Sequence, residues 1–256
     1  MIVQMDPSYA TGLKSRCQVL RRMSEAWGAA NLYCVACTSD RLEHLPPNTE
    51  AADFACLTCR AQYQLKAVRN WNERRIPDAG YDAMVRAFRS DSIPNLLVMH
   101  YLTDWRVRHL LLIPSFLFSL SAIERRKPLA STARRAGWVG CNILLSRIAE
   151  DGKIPVIAEG VPITPGVVRD RYERVRPFGR INVRSRGWTL DVLNHVRGIH
   201  KDRFSLQDVY AFEDELAVVY PGNRNVRAKI RQQLQVLRDL RFLVFEGHGW
   251  YRLTPQ

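Results

Sequence analysis

The sequence predicts a mixed α/β (α+β) fold with a smaller helical domain at its C-terminal end. The strand prediction starts from residues 63–67, where polar and apolar side chains alternate as in a half-buried strand. Two further strands are expected at residues 95–101 and 107–113, joined by a hairpin turn. Apolar residues recur at helical spacing in residues 15–30 and 81–89. Helices beside strands indicate an α/β or α+β core.

The C-terminal part of the chain has the pattern of a winged helix, in which three helices precede a two-stranded wing. The helical stretches and the hairpin are residues 189–200, 205–219, 226–240 and 242–253. The arginine-rich residues 169–186 contain proline and glycine and are predicted to be an interdomain linker. We therefore place the domain boundary near Arg184, with one domain at residues 1–183 and the other at residues 184–256.

The charge of the chain indicates a polyanionic partner. Lysine and arginine number 38 against 25 acidic residues, a net charge of +13. Such a surface favours nucleic acid, because each neutralised phosphate releases counterions. A lipid surface would require a lipidation motif or an amphipathic helix rich in exposed aromatics, and neither is evident. The most apolar stretch, residues 110–123, is interrupted by Pro114, so we expect a cytoplasmic protein outside the membrane.

Four of the six cysteines form two CxxC pairs, which indicate a metal centre. The pairs are Cys34 with Cys37 and Cys56 with Cys59. In a chain without a predicted secretion signal, this spacing favours a metal over disulfides. Four thiolates close a tetrahedral zinc sphere, so the zinc is predicted to be structural rather than catalytic. Buried free cysteines are the alternative, and they would not need the CxxC spacing.

Asp53 and the pair Gln64 and Lys66 lie on either side of the second CxxC pair. Their pattern resembles the D-x(n)-(D/E)-x-K signature of the PD-(D/E)XK nuclease superfamily. Asp53, Gln64 and the carbonyl of Leu65 are the expected ligands of Mg²⁺ or Mn²⁺, and Lys66 would orient the attacking water. Ordinary polar strand residues are the alternative for so short a string. The zinc would fix the register of both strands and so preorganise the site.

Gln64 departs from this signature, which has a carboxylate at that position. An amide oxygen is neutral and is a weaker ligand for a hard cation. Glu25, on the first predicted helix, is the candidate for a compensating acid. The alternative is an exposed helical glutamate with no such role.

The predicted helix at residues 226–240 is apolar on one side and carries arginine, lysine and glutamine on the others. Arginine and glutamine suit the edges of guanine and adenine, so this helix fits a major groove. A solvated amphipathic helix is the alternative. The candidate DNA contacts on this helix are Arg227, Lys229, Arg231, Gln232 and Gln233.

Three further segments carry a family resemblance. They are RKPLASTARRAGWVGCNI at residues 126–143, SRGWTLDVLN at residues 185–194 and KIRQQLQVLRD at residues 229–239. Together with the cysteine and D…K pattern, they resemble the DpnI family of methyl-directed restriction endonucleases. The resemblance implies a PD-(D/E)XK nuclease core with an inserted four-cysteine zinc ribbon and a following winged helix. It also implies cleavage of double-stranded DNA at GATC with N6-methylated adenine.

The resemblance assigns Asp53, Gln64 and Lys66 to the catalytic positions, with glutamate expected in place of Gln64, and the four paired cysteines to the zinc. Within residues 126–143, the candidate DNA contacts are Arg126, Arg134, Arg135 and Trp138. Trp138 is the candidate for contacting the methylated adenine, and a structural tryptophan is the alternative.

Three functions stay open at this point. The first is an active, monomeric nuclease. The second is a methyl-GATC-binding protein whose catalytic site is weakened by Gln64. The third is a nuclease of altered specificity.

Overall fold

The computed structural model describes residues 1–46, 49 and 52–255. The strands are β1 (Glu43–His44), β2 (Phe54–Ala55), β3 (Gln62–Val68), β4 (Arg75–Gly80), β5 (Asn95–Tyr101), β6 (Val107–Ile113), β7 (Ile123–Arg125), β8 (Gly140–Leu144), β9 (Ile154–Ala158), β10 (Val161–Pro162), β11 (Arg203–Ser205), β12 (Leu243–Gly247) and β13 (Trp250–Leu253). The helices are α1 (Arg16–Asn31), α2 (Tyr81–Arg89), α3 (Pro165–Val175), α4 (Val183–Gly198), α5 (Leu206–Tyr210), α6 (Glu213–Val219) and α7 (Val226–Asp239). This mixture confirms the predicted α/β class.

The chain divides into two compact units, each assembled from separate stretches of sequence. The first unit contains Met1–Asn72, Ser92–Phe116 and Gly152–Arg176. The second unit contains Glu73–Asp91, Leu117–Asp151 and Pro177–Gln256. The boundary near Arg184 stays a prediction. None of the helices in the described part of the chain is long and apolar enough to cross a membrane.

Among the described residues of the first unit, seven strands form one sheet in the order β1-β2-β3-β5-β6-β9-β10. Strands β3 and β5 pair in parallel, and the other neighbours are antiparallel. The centre of the sheet is apolar because Leu96, Val98 and Met99 of β5 and Leu110 and Leu112 of β6 are buried. Strand β3 is therefore held between β2 and β5, with a fixed register on both sides.

Helix α1 contacts β3 and buries Met23 and Trp27. The helix comes close to β2 at Gly28, where a Cβ would lie 2.5 Å from Cζ of Phe54. Carbon atoms do not pack at that distance, so only glycine permits the approach. The close approach places one face of α1 over the strand pair β2–β3.

In the described part of the second unit, the strands form two sheets, β4-β8-β7 and β11-β13-β12. Helix α7 packs against α4 and buries Ile230, Leu234 and Leu237. Helices α4 to α7 and the β12–β13 hairpin confirm the predicted winged helix. The helix predicted at residues 205–219 is divided into α5 and α6, and β11 adds a third strand to the wing.

Helix α4 carries Asp191, a carboxylate that is only 4% exposed. Its Oδ1 accepts hydrogen bonds from the hydroxyls of Ser119 (2.9 Å) and Ser121 (2.6 Å), and its Oδ2 accepts one from Tyr220 (2.6 Å). Burial raises the pKa of Asp191, although these three hydroxyls act to lower it. Trp188 stacks on Tyr220 with ring centroids 4.0 Å apart, so it is a core residue.

Residues 169–186 are predicted to be an interdomain linker, and the chain does pass from the first compact unit to the second between Arg176 and Pro177. The segment is largely helical, however, because most of its residues lie in α3 and α4, and α3 buries Val168, Tyr172 and Val175 along one face. Residues 124–142 combine loop and strand, because the end of β7 and the first part of β8 lie within them. The glycine at the start of β8 suggests a loop, but pairing with β4 and β7 holds this segment in a sheet.

Candidate active site and metal centre

The four cysteines of the two CxxC pairs converge in the first unit, with all four sulfurs within 4.8 Å of one another. Contacts run between the pairs: Cys34 Sγ lies 3.5 Å from Cys59 Sγ, and Cys37 Sγ lies 3.6 Å from Cys56 Sγ. Sulfurs bound tetrahedrally to one zinc at about 2.3 Å are about 3.8 Å apart. The sulfur positions therefore fit a structural zinc site.

The cysteine pKa values show where this cluster favours charge. Burial raises the pKa of the Cys34 thiol to about 12. Burial acts to raise the pKa of Cys56 as well, but backbone N–H groups of Cys59 and Thr58 help to lower it to about 6. Backbone amides thus stabilise one thiolate, whereas a thiolate at Cys34 needs a cation beside it.

Tyr63, on β3, connects this cluster to the neighbouring strand. Its hydroxyl accepts a hydrogen bond from the N–H of Val35 (3.1 Å) and lies 3.2 Å from Cys34 Sγ. A phenol has a single hydrogen, which is left for the sulfur, so Tyr63 donates to Cys34. The backbone carbonyl of Tyr63 accepts the N–H of Asp53 (2.9 Å). One fully buried residue therefore contacts both the four-cysteine cluster and Asp53.

Replacing Tyr63 by phenylalanine is expected to weaken zinc binding about tenfold, because hydrogen bonds to metal ligands commonly contribute that much affinity. Competition with a chromophoric chelator measures the change. The matched control is Tyr33→Phe: the Tyr33 hydroxyl is also buried, and it has no hydrogen-bond partner among the described residues. Equal zinc affinity in both variants would contradict the role assigned to Tyr63.

The predicted catalytic residues come together at the β2–β3 pair. Phe54 lies opposite Tyr63 in the antiparallel register, so Asp53, one residue earlier, lies opposite Gln64. The N–H of Leu65 donates to Oδ2 of Asp53 (2.8 Å), which fixes the orientation of that carboxylate. Gln64 and Lys66 are two residues apart on β3 and share a face.

These residues line a cavity of about 290 Å³ between β3 and α1. Its walls are Asp53, Gln64, Leu65, Lys66 and Ala67 from the strand side and Cys17, Leu20, Arg21, Ser24 and Glu25 from α1. A second cavity of about 210 Å³ is lined by Arg21, Glu25, His44, Leu45, Pro46, Thr49, Ala52 and Asp53. Asp53 and Glu25 therefore face both cavities.

Glu25 lies inside this arrangement, and its side chain is only 13% exposed. Its Oε1 accepts a hydrogen bond from Nε of Arg21 (2.6 Å), and its Oε2 lies 3.7 Å from Nε2 of His44. The pKa of Arg21 is raised, chiefly by the hydrogen bond and the charge of Glu25, with a contribution from Asp53. Sequence reasoning missed Arg21, although an arginine four residues before a glutamate is a recognisable helical pair. It also missed His44, which only the fold brings near.

The predicted DNA contacts of residues 126–143 lie in the second unit. Trp138 is half-buried, and a Cβ at Gly140 would come 2.8 Å from its ring. The guanidinium of Arg135 lies 4.8 Å from the Trp138 ring centroid. Arg126 and Arg134 are exposed. The tryptophan thus rests on the backbone at Gly140 with Arg135 beside its ring, and Arg135 is exposed like the other two arginines.

Three of the predicted DNA contacts on helix α7 are exposed, namely Arg227, Arg231 and Gln232. Lys229 is half-buried. Arg227 forms an ion pair with Glu213 (2.6 Å), and Lys229 donates to Gln232 (2.8 Å). This face of the helix is polar and available to a partner.

Gln233 differs from the other predicted contacts on α7. Its side chain is 2% exposed, and its Oε1 accepts a hydrogen bond from the hydroxyl of Thr189 (2.7 Å). It lies one position before Leu234, on the apolar side of the helix. Gln233 is therefore a core residue in this structure and not part of the exposed face.

Two family models match the chain. The model described as the Dam-replacing family, DpnI, matches residues 1–180. The model described as the Dam-replacing HTH domain matches residues 184–253. The first match alone covers more than half of the 256 residues.

Proposed function

The chain belongs to the Dam-replacing family of DpnI-type restriction endonucleases, and from this premise we propose that it cleaves double-stranded DNA at GATC with N6-methylated adenine, using a divalent metal ion. The family is one of DNA-binding nucleases that restrict methylated DNA. The observation that carries the proposed cleavage is the convergence of Asp53, Gln64 and Lys66 on one cavity, and the proposed target follows from the family.

The side chains of this cavity fit a hard cation. Asp53 and Glu25 offer carboxylate oxygens and Gln64 an amide oxygen, the ligand types that Mg²⁺ prefers. Mg²⁺ bound there would polarise the scissile phosphate and lower the pKa of an attacking water. Lys66 would orient that water and offset the charge that develops on the phosphate. The N–H of Leu65 holds Asp53 in place for its role.

Recognition of the methylated site is assigned to the second unit. Trp138 offers a flat apolar surface for a methyl group, and Arg126, Arg134 and Arg135 would hold the nearby phosphates. The exposed side chains of α7 would enter the major groove, as the recognition helix of a winged helix does. The net charge of +13 supports DNA binding by the chain as a whole.

A second candidate function follows from Gln64. If the neutral amide prevents productive metal binding, the chain would bind methylated GATC without cutting it. The zinc centre, the arginines and the winged helix would be retained, and the catalytic site alone would be weakened.

One experiment separates these functions. The protein is incubated with Mg²⁺ or Mn²⁺ and plasmid from adenine-methylating and non-methylating hosts, with Gln64→Glu tested beside it. Cleavage of methylated plasmid alone supports the proposal. An inert wild type with an active Gln64→Glu variant supports the binding protein, and equal cleavage of both plasmids indicates a nuclease of altered specificity.

Replacing Arg231 by alanine is expected to weaken DNA binding and to reduce by about one the slope of log affinity against log salt, because one phosphate contact is lost. Arg231→Lys retains the charge and is expected to retain the slope. Fluorescence anisotropy with a methylated duplex at several salt concentrations measures both. An unchanged slope in Arg231→Ala would remove this residue from the DNA surface.

A further inference from the structure

We propose that Glu25 completes the catalytic cation site and supplies the carboxylate that Gln64 lacks, an inference that rests on the proposed nuclease function. Glu25 comes from α1, whereas Asp53 and Gln64 come from the β2–β3 pair. All three line the cavity of about 290 Å³. The acid is therefore contributed by a different element from the one that carries the sequence signature.

The carboxylate of Glu25 is held in place without a cation. Arg21 donates a hydrogen bond to Oε1 of Glu25 (2.6 Å), and Nε2 of His44 lies 3.7 Å from Oε2. A carboxylate has about four lone-pair positions, so these two contacts leave room for a cation. A ligand that is already oriented loses little entropy on binding, which favours affinity.

The charge of the cavity also requires Glu25. Its described lining contains two cationic side chains, Arg21 and Lys66, and two anionic ones, Asp53 and Glu25. Without Glu25, a single carboxylate would face two positive charges, and a divalent cation would be repelled. Glu25 restores the two negative charges that a site with a glutamate at position 64 would have.

The test is calorimetric titration of Mn²⁺ into the full-length, zinc-loaded chain without DNA. Glu25→Gln is expected to bind Mn²⁺ at least about tenfold more weakly, since loss even of an indirect metal partner costs that much. Glu43→Gln is the matched control, because Glu43 is exposed on β1 and lines neither cavity. Its Mn²⁺ affinity is expected to equal that of the wild type.

The double variant Glu25→Gln/Gln64→Glu distinguishes a lost ligand from a damaged fold. It is expected to recover most of the Mn²⁺ affinity, because it restores the second carboxylate at position 64. The inference is overturned if Glu25→Gln binds Mn²⁺ as tightly as the wild type, or if the wild type binds none. The proposed function fails separately, if the wild type binds Mn²⁺ through Glu25 and still does not cut methylated plasmid.

Discussion

Removal of zinc from the four-cysteine centre is expected to lower the free energy of unfolding by at least about 4 kcal/mol, a size reached when a structural metal is lost. The same treatment is expected to abolish cleavage. The physical reason is that strand β2 lies between Asp53, which directly precedes it, and Cys56, which directly follows it. Without the metal, the four sulfurs no longer hold the two CxxC segments together. We therefore expect the register that sets Asp53 opposite Gln64 to be lost.

The measurement combines denaturant unfolding with metal analysis of Cys56→Ser and of the chelator-treated wild type. Cys17→Ser is the control for stability and zinc content, because Cys17 is exposed and lies outside the cluster. It is expected to retain one zinc per chain. Full stability and zinc content in Cys56→Ser would show that the four-cysteine cluster is not a structural metal site.

Replacing Lys66 by alanine is expected to slow cleavage about 100- to 1,000-fold, the usual cost of removing one group that stabilises transition-state charge. DNA affinity is expected to change much less than the cleavage rate, because Lys66 is assigned to the charge that develops in the transition state and not to a contact made in the bound ground state. Cleavage is measured in single-turnover reactions on a methylated duplex. Binding is measured separately with Ca²⁺ in place of Mg²⁺.

Lys153→Ala is the control for this variant. Lys153 precedes β9 in the same compact unit and lines neither cavity. The Lys153→Ala variant is expected to cut at the wild-type rate. If only Lys66→Ala cuts more slowly, the slower rate results from the position of Lys66 and not from the loss of one positive charge. If the Lys66→Ala variant cuts at the wild-type rate, Lys66 has no role in catalysis.

The elements with a strong local pattern could be predicted from the sequence. The strands at residues 95–101 and 107–113 and the helix at residues 81–89 have the predicted bounds. Their apolar side chains recur at the period of the element, and turn residues separate the two strands. The four-cysteine cluster was predictable for a similar reason, since the CxxC spacing is typical of paired metal ligands.

Elements that depend on distant contacts could not be predicted. Strand β4 contains Pro77 and Asp78, which disfavour a strand, and it forms because β8 pairs with it. The many arginines of residues 169–186 make the buried side of α3 hard to recognise from the sequence. Gln233 had the composition of a DNA contact, but its burial depends on Thr189, which lies on another helix.

The candidate catalytic site could be predicted in part. Asp53, Gln64 and Lys66 could be predicted because Gln64 and Lys66 share a strand, and Asp53 lies on the other side of the Cys56 and Cys59 pair. The position of Glu25 was ambiguous, because its distance from Asp53 depends on how α1 packs over β2. That packing follows from Gly28, and no local pattern predicts it.

The buried carboxylate of Asp191 limits how this protein can be dissected. A fragment beginning at residue 184 would keep Asp191 and Tyr220 but lose the hydroxyls of Ser119 and Ser121. A buried acceptor stripped of its donors destabilises a fold by about 1–3 kcal/mol, and more when it is charged. The winged-helix domain is therefore expected to be poorly stable when it is expressed alone. A stable fragment should also contain the segment that begins at Leu117.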